Sequence, residues 1–195
     1  HENSSAASDV YKRQELVKSF WKKKFSHIKN DVYAETNHTL CKCGLVENVI
    51  LNGLEDETTL IVLRRNIIKQ CVSYIVRNDF QNITLAWQWY LHPTYAKKII
   101  NPEPFIKLGV LGLPLWYCYE MSARQEYYSQ KFSNKVEMHH VALEDVTKKS
   151  GAEDFLKALG LNGVCKLPSP KNENKLKPSA ELVDNVSKIV NKAVS

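Results

Sequence analysis

Arg64 and Arg65, with Ser73 eight residues after the second arginine, are the side chains of this sequence best suited to gripping an anion. A guanidinium donates two parallel hydrogen bonds to a phosphate, and a serine hydroxyl adds another donor. Glu35 and His38 follow a short apolar run, and polar residues at the end of a buried strand are site candidates. A histidine titrates near neutrality unperturbed, whereas a glutamate does so only when its environment raises its pKa. His38, Cys41, Cys43 and the pair His139-His140 also carry metal-ligating atoms. Cys-x-Cys is, however, tighter than the usual zinc spacing, and no second pair matches it. No serine or cysteine occupies the sharp, glycine-flanked elbow of a hydrolase nucleophile.

The anion group is positioned by the stretch TTLIVLRRNIIKQCVSYIVRNDF, Thr58–Phe80. Thr59–Leu63 is a short apolar, β-branched run and predicts a buried strand. Asn66 is a good helix N-cap, and from Ile67 the period changes. Ile68, Cys71, Val72 and Ile75 then fall three or four apart, as on one helix face. Strand, tight turn and helix put both arginines at the strand's C-terminal end and Ser73 about two turns into the helix. Ligands of open α/β sheets sit at that junction, and the helix N-terminus favours an anion there. The same residues also fit an ordinary βα unit with a surface arginine and a helical serine.

A chain of 195 residues, 44% of them hydrophobic, can bury one good core. The net charge of +6 suits a polyanionic ligand, but no aromatic-basic motif of a nucleic-acid binder accompanies it. No run of eighteen apolar residues is present to span a membrane. Five cysteines without paired spacing point to reduced thiols and a cytoplasmic setting. Glycosylation sequons begin at Asn37, Asn82 and Asn185, although so short a tripeptide also arises by chance.

Ser4-Ser5-Ala6-Ala7-Ser8 followed by Asp9–Gln14 resembles the in-frame translation of a sequencing-library adaptor. Residues 1–14 are therefore expected to lie outside the fold as an adaptor-derived or disordered segment, the other reading being a polar N-terminal arm. Glu15–Ile28 predicts an amphipathic helix with Leu16, Phe20, Trp21 and Phe25 on one face. Val32–Ala34 predicts a short strand ending at Glu35, and Gly44–Leu54 a helix. Asn82–Ile99 and Pro102–Phe132 are expected to be helical and rich in core aromatics, the second broken by Pro114 and two glycines. Val136–Val141 predicts a strand, Ala152–Leu159 a helix closed by Gly160 at C′, and Ala180–Val194 a last helix after a linker over Leu167–Lys177. The domain is expected over residues 15–166, with linker and C-terminal helix over 167–195.

Arg65-Asn66, followed by Ser73-Tyr74, resembles the 3′-phosphate motif of sulfotransferases that use 3′-phosphoadenosine-5′-phosphosulfate (PAPS). The match departs at Ile67, where that family usually has proline. Glu35-Thr36-Asn37-His38 resembles a strand end of the same family. Leu143-Glu144-Asp145 and the helix ending Leu159-Gly160-Leu161 resemble two later segments. The resemblance covers about Asp31–Leu161 and implies an α/β fold with a parallel sheet flanked by helices, a P-loop-like architecture and a helix-rich second half. It further implies that Arg65 and Ser73 hold the 3′-phosphate, with Arg64 the ligand if the register slips by one. Glu35, or else His38, is implied as the base. PAPS would be the co-substrate, and the acceptor a hydroxyl or amine of a small molecule, carbohydrate or peptide.

The family's glycine-rich 5′-phosphosulfate loop has no counterpart here, since no glycine precedes Gly44. The expectation is therefore a fragment without its first βα unit, catalytically silent alone, for which an upstream Golgi-type anchor stays open. The competing reading is a non-catalytic P-loop-like nucleotide-binding or degenerate module.

Overall fold

The computed structural model describes residues 2–36, 42–81, 90–161, 165–169 and 176–194. In chain order the elements are α1 (Glu2–Ser26), α2 (Leu45–Leu51), β1 (Thr59–Arg64), α3 (Ile67–Val76), α4 (Glu103–Ile106) and α5 (Gly112–Phe132). There follow β2 (Glu137–Ala142), α6 (Leu143–Val146), α7 (Lys149–Ala158) and α8 (Ala180–Val194). The architecture is mixed α/β, with β1 and β2 paired in parallel as a small two-strand sheet. The chain forms two compact units, one from His1–Leu60 with Tyr127–Met138, the other from Ile61–Glu126 with His139–Ser195. No helix among the described residues is long and apolar enough to cross a membrane.

In the first unit Trp21 is the pivot of α1. Its ring is 1% exposed, flanked by Phe20 edge-on and Phe25 stacked, and its indole Nε1 donates to the Cys43 carbonyl at 2.8 Å. The predicted apolar face of this helix is not a buried stripe, because Leu16 is 70% and Phe20 58% exposed. The helix also starts at Glu2, inside the segment expected to lie outside the fold. Val32–Ala34 is irregular rather than a strand. Val32 and Tyr33 are exposed, and Tyr33 turns its hydroxyl onto Glu35 two residues away. A β-branched and aromatic pair favours a strand only where neighbours pack against it.

In the second unit Cys71 and Val72 of α3, Leu115 and Cys118 of α5, and Val186 and Val190 of α8 form the buried core. Ile67, Ile68 and Ile75 pack against it, so α3 buries the face its period predicts. Strand β1 is less covered than expected. Leu60 and Val62 are half-buried, whereas Ile61 and Leu63 on the opposite side are exposed. Side chains alternate across a strand, and here only one of the two sides is covered.

The stretch Pro102–Phe132 is broken at the turn around Gly109–Leu111, but Pro114 breaks nothing. Proline lies in the first turn of α5, where backbone N–H groups have no partner within the helix to lose. Gly112 opens that helix against the Phe105 carbonyl, so close that a Cβ would collide with it; Gly151 in α7 meets the Asp145 carbonyl in the same way.

Of the expected helix Asn82–Ile99, residues 82–89, with Trp87 and Trp89, lie outside the described residues. Residues 90–99 are turns and irregular chain rather than helix. Their anchor is Glu120, a fully buried side chain of α5. It accepts from the amides of Ile99 and Ile100 at 2.9 and 2.7 Å, and from Arg124 Nε at 2.8 Å. Arg124 also donates to the Lys97 carbonyl, and Trp116 Nε1 to that of Ile100. A buried carboxylate with three donors around it, the amides of Ile99 and Ile100 and the Arg124 guanidinium, replaces the hydration it loses.

Helix α7 ends as predicted. Gly160 has φ 71°, its amide bonds to the Lys157 carbonyl, and the Leu161 amide reaches back to Leu156. Helix α8 matches its predicted span, Ala180–Val194.

Candidate anion-binding site

The second unit carries a cleft of about 440 Å³ at the C-terminal end of β1. Strand β1 and the turn after it supply Arg64 and Arg65, α3 supplies Ser73, Tyr74 and Arg77, and α5 supplies Gln125 and Glu126. The turn is tight because Asn66 caps α3, its side-chain oxygen accepting from the Lys69 amide at 3.0 Å. Gln125 Nε2 donates to the Leu63 carbonyl at 3.1 Å, tying α5 to the strand end. Arg65 and Ser73, singled out from their spacing, therefore line one cavity.

The two neighbouring arginines differ. Arg64 pairs with Glu126 at 3.0 Å, both side chains about half exposed, so the pair contributes little to stability. Arg65 makes no hydrogen bond or ion pair among the described residues, and its charge is felt at Glu144. Glu144 Oε1 accepts from the Asn66 amide at 3.3 Å. Its pKa lies below the ordinary carboxylate value, first through its own backbone amide, then through that of Asn66 and the charges of Lys69 and Arg65.

A third arginine was not singled out from the sequence. Arg77 Nη1 donates to Ser73 Oγ at 2.7 Å, while Nε and Nη2 hold Asp79 Oδ2 at 2.9 and 2.5 Å. Asp79 is buried, and Tyr90 adds its hydroxyl to the same oxygen at 3.1 Å. Burial and the Asp79 charge push the Tyr90 phenol well above its ordinary value. The guanidinium also lies 5.3 Å from the centre of the Tyr74 ring. Tyr74 in turn contacts Phe80, Tyr90 and Tyr117, and of these four aromatic rings it is the one on the cleft wall. Two signals pointed to Arg77: it is one turn beyond Ser73 on the same helical face, and Asn78 after it is a natural left-handed helix end.

Glu35 belongs to the first unit. Lys24 Nζ reaches its two carboxylate oxygens at 2.7 and 2.6 Å, and the Tyr33 hydroxyl donates at 2.7 Å. Its pKa is held below the ordinary value, first by the Lys24 bond and then by that of Tyr33. A general base needs a pKa moved in the opposite direction, towards neutrality. His38 and Cys41 lie outside the described residues. Among the described residues no cluster of histidine, cysteine, aspartate and glutamate has the arrangement to hold a metal ion.

What these elements define is a small parallel strand pair whose βα turn opens onto an arginine-lined cleft. No family model, curated protein or solved structure matches the chain.

Proposed function

We propose that this chain is a sulfotransferase, or a part of one, that moves a sulfuryl group from PAPS to a hydroxyl or amine acceptor. The observation that carries the reading is that Arg65 and Ser73, eight residues apart, line one cleft at the end of β1, with Arg65 in no ion pair among the described residues. In this reading Arg65 and Ser73 hold the 3′-phosphate of the donor, and Arg64 lies beside it. The acceptor oxygen or nitrogen forms a bond to sulfur as the sulfur–oxygen bond to the 5′-phosphate breaks, and the acceptor's proton passes to a base. Glu35 and His38 are the candidates for that base. Glu35 as it stands, bonded to Lys24, binds protons poorly.

The Lys24–Glu35 pair favours a second reading, a nucleotide-binding module without transferase activity. Titration calorimetry with adenosine 3′,5′-bisphosphate and with ATP tests both. Tighter binding of the bisphosphate supports a site for a 3′-phosphate; equal or tighter binding of ATP refutes it. Transfer of radiolabelled sulfate to a panel of hydroxyl and amine acceptors then separates the enzyme from the module.

A further inference from the structure

Arg77 has a preorganisation that the other cleft arginines lack. Among the described residues three of its five N–H groups are committed, two to Asp79 and one to Ser73 Oγ, and two remain. The grip comes from behind. The Asn78 amide bonds to the Ile75 carbonyl and the Asp79 amide to that of Tyr74, while Asn78 takes φ 56°. This helix-ending motif turns the Asp79 carboxylate back under the guanidinium, where it is 6% exposed and also bonded by Tyr90. A long cationic side chain normally loses rotamer freedom when it grips a ligand. Arg77 is already fixed, its plane near the face of Tyr74.

An anion that reaches the Ser73 hydroxyl also meets a guanidinium nitrogen within hydrogen-bond distance of that hydroxyl. We propose that Arg77 is a second guanidinium of the anion site beside Arg65, and that Asp79 is a positioning residue acting through it. Two cations, Arg65 and the fixed Arg77, select a terminal phosphate monoester, which carries close to two charges at neutral pH, over a phosphodiester with one. The cleft then distinguishes a free 3′-phosphate from both a 3′-hydroxyl and a cyclised 3′-phosphate. This rests on reading the cleft as a phosphate site.

The test is calorimetry of the whole chain with adenosine 3′,5′-bisphosphate, adenosine 3′,5′-cyclic monophosphate, adenosine 5′-monophosphate and ATP, each protein also followed by thermal melting. Arg77→Lys keeps the charge but not the fork that holds Asp79 and Ser73 together. It is expected to weaken the bisphosphate about tenfold or more, the scale of one charged hydrogen bond, and to leave the two monophosphates unchanged. Asp79→Asn is expected to weaken the bisphosphate as well, and to add nothing in an Arg77→Gln background. Losses that add independently overturn the positioning role. If Asp79→Asn does not fold, Arg77→Lys and Arg77→Gln carry the test. Unchanged bisphosphate affinity in both, or equal losses for all four ligands, overturns the proposal. Should ATP bind as tightly as the bisphosphate while both depend on Arg77, the sulfotransferase reading fails and the second guanidinium stands. Should the wild-type chain bind none of the four, both fall.

Discussion

Glu144 and Asn66, far apart in the chain, meet where the Asn66 backbone N–H donates to the Glu144 carboxylate at the first turn of α3. The protein thus places a carboxylate of its own where the field of that helix favours negative charge. The charges of Lys69 and Arg65 act on the same carboxylate. On the proposed reading, a phosphate bound at the N-terminus of α3 would meet the Glu144 carboxylate. Glu144→Gln removes the competing charge and keeps the side chain's shape, so it should tighten adenosine 3′,5′-bisphosphate severalfold, the gain shrinking at high salt. Weaker binding in calorimetry would place the anion away from the N-terminus of α3.

Arg65 makes no hydrogen bond or ion pair among the described residues. Arg65→Ala should therefore weaken bisphosphate binding by about 2–3 kcal/mol, as expected for a charged hydrogen bond, with little effect on the melting temperature. Arg64→Ala should have a smaller effect, because its charge is shared with Glu126. The reverse order would assign the anion to Arg64.

The buried pair in α5 should behave oppositely, affecting stability rather than binding. Glu120→Ala strands Arg124 and unties the amides of Ile99 and Ile100, at a cost of about 3–5 kcal/mol. Lys18→Ala at the exposed Lys18–Glu15 pair should change stability by less than about 1 kcal/mol. Chemical denaturation of the two variants side by side gives the comparison, and similar losses would mean that Glu120 is not the anchor of residues 97–100.

Glu35 makes a pH prediction whose sign is fixed by its depressed pKa. The folded chain binds this proton less readily than the unfolded chain, whose glutamate titrates near 4.5. The contribution is present above that value and is lost as pH falls through the lower folded value. Lys24→Met removes the main cause and should move the Glu35 titration upward. Carboxyl carbon NMR reads both shifts, and a wild-type Glu35 titrating at or above 4.5 would refute the ion pair.

Local signals were legible in the sequence where the structure uses them locally. Asn66 caps, Gly160 closes, and the period of Ile68, Cys71, Val72 and Ile75 names the buried side of α3. The pairing of Arg65 with Ser73 was legible for the same reason, since both hang from one strand–turn–helix unit. What the sequence hid depends on distant partners. Val32–Ala34 has strand residues but no strand beside it, and nothing near Glu120 announces that it will hold two amides of a turn twenty residues earlier. Arg77 was overlooked because a helical arginine after a serine is commonplace; only the buried carboxylate of Asp79 behind it makes it distinctive.

The two crowded glycines bear on ancestry. Alanine is the better helix former, yet at Gly112 and Gly151 even a methyl group would press into a neighbouring carbonyl. Mutation at either place must therefore move backbone, a change that natural selection tolerates far less readily than drift at the surface. Descendants of a common ancestor that kept these helix starts should keep both glycines after most other identities have eroded. Their joint recurrence, in register with the arginine–serine pair, would be a durable mark of kinship for this lineage.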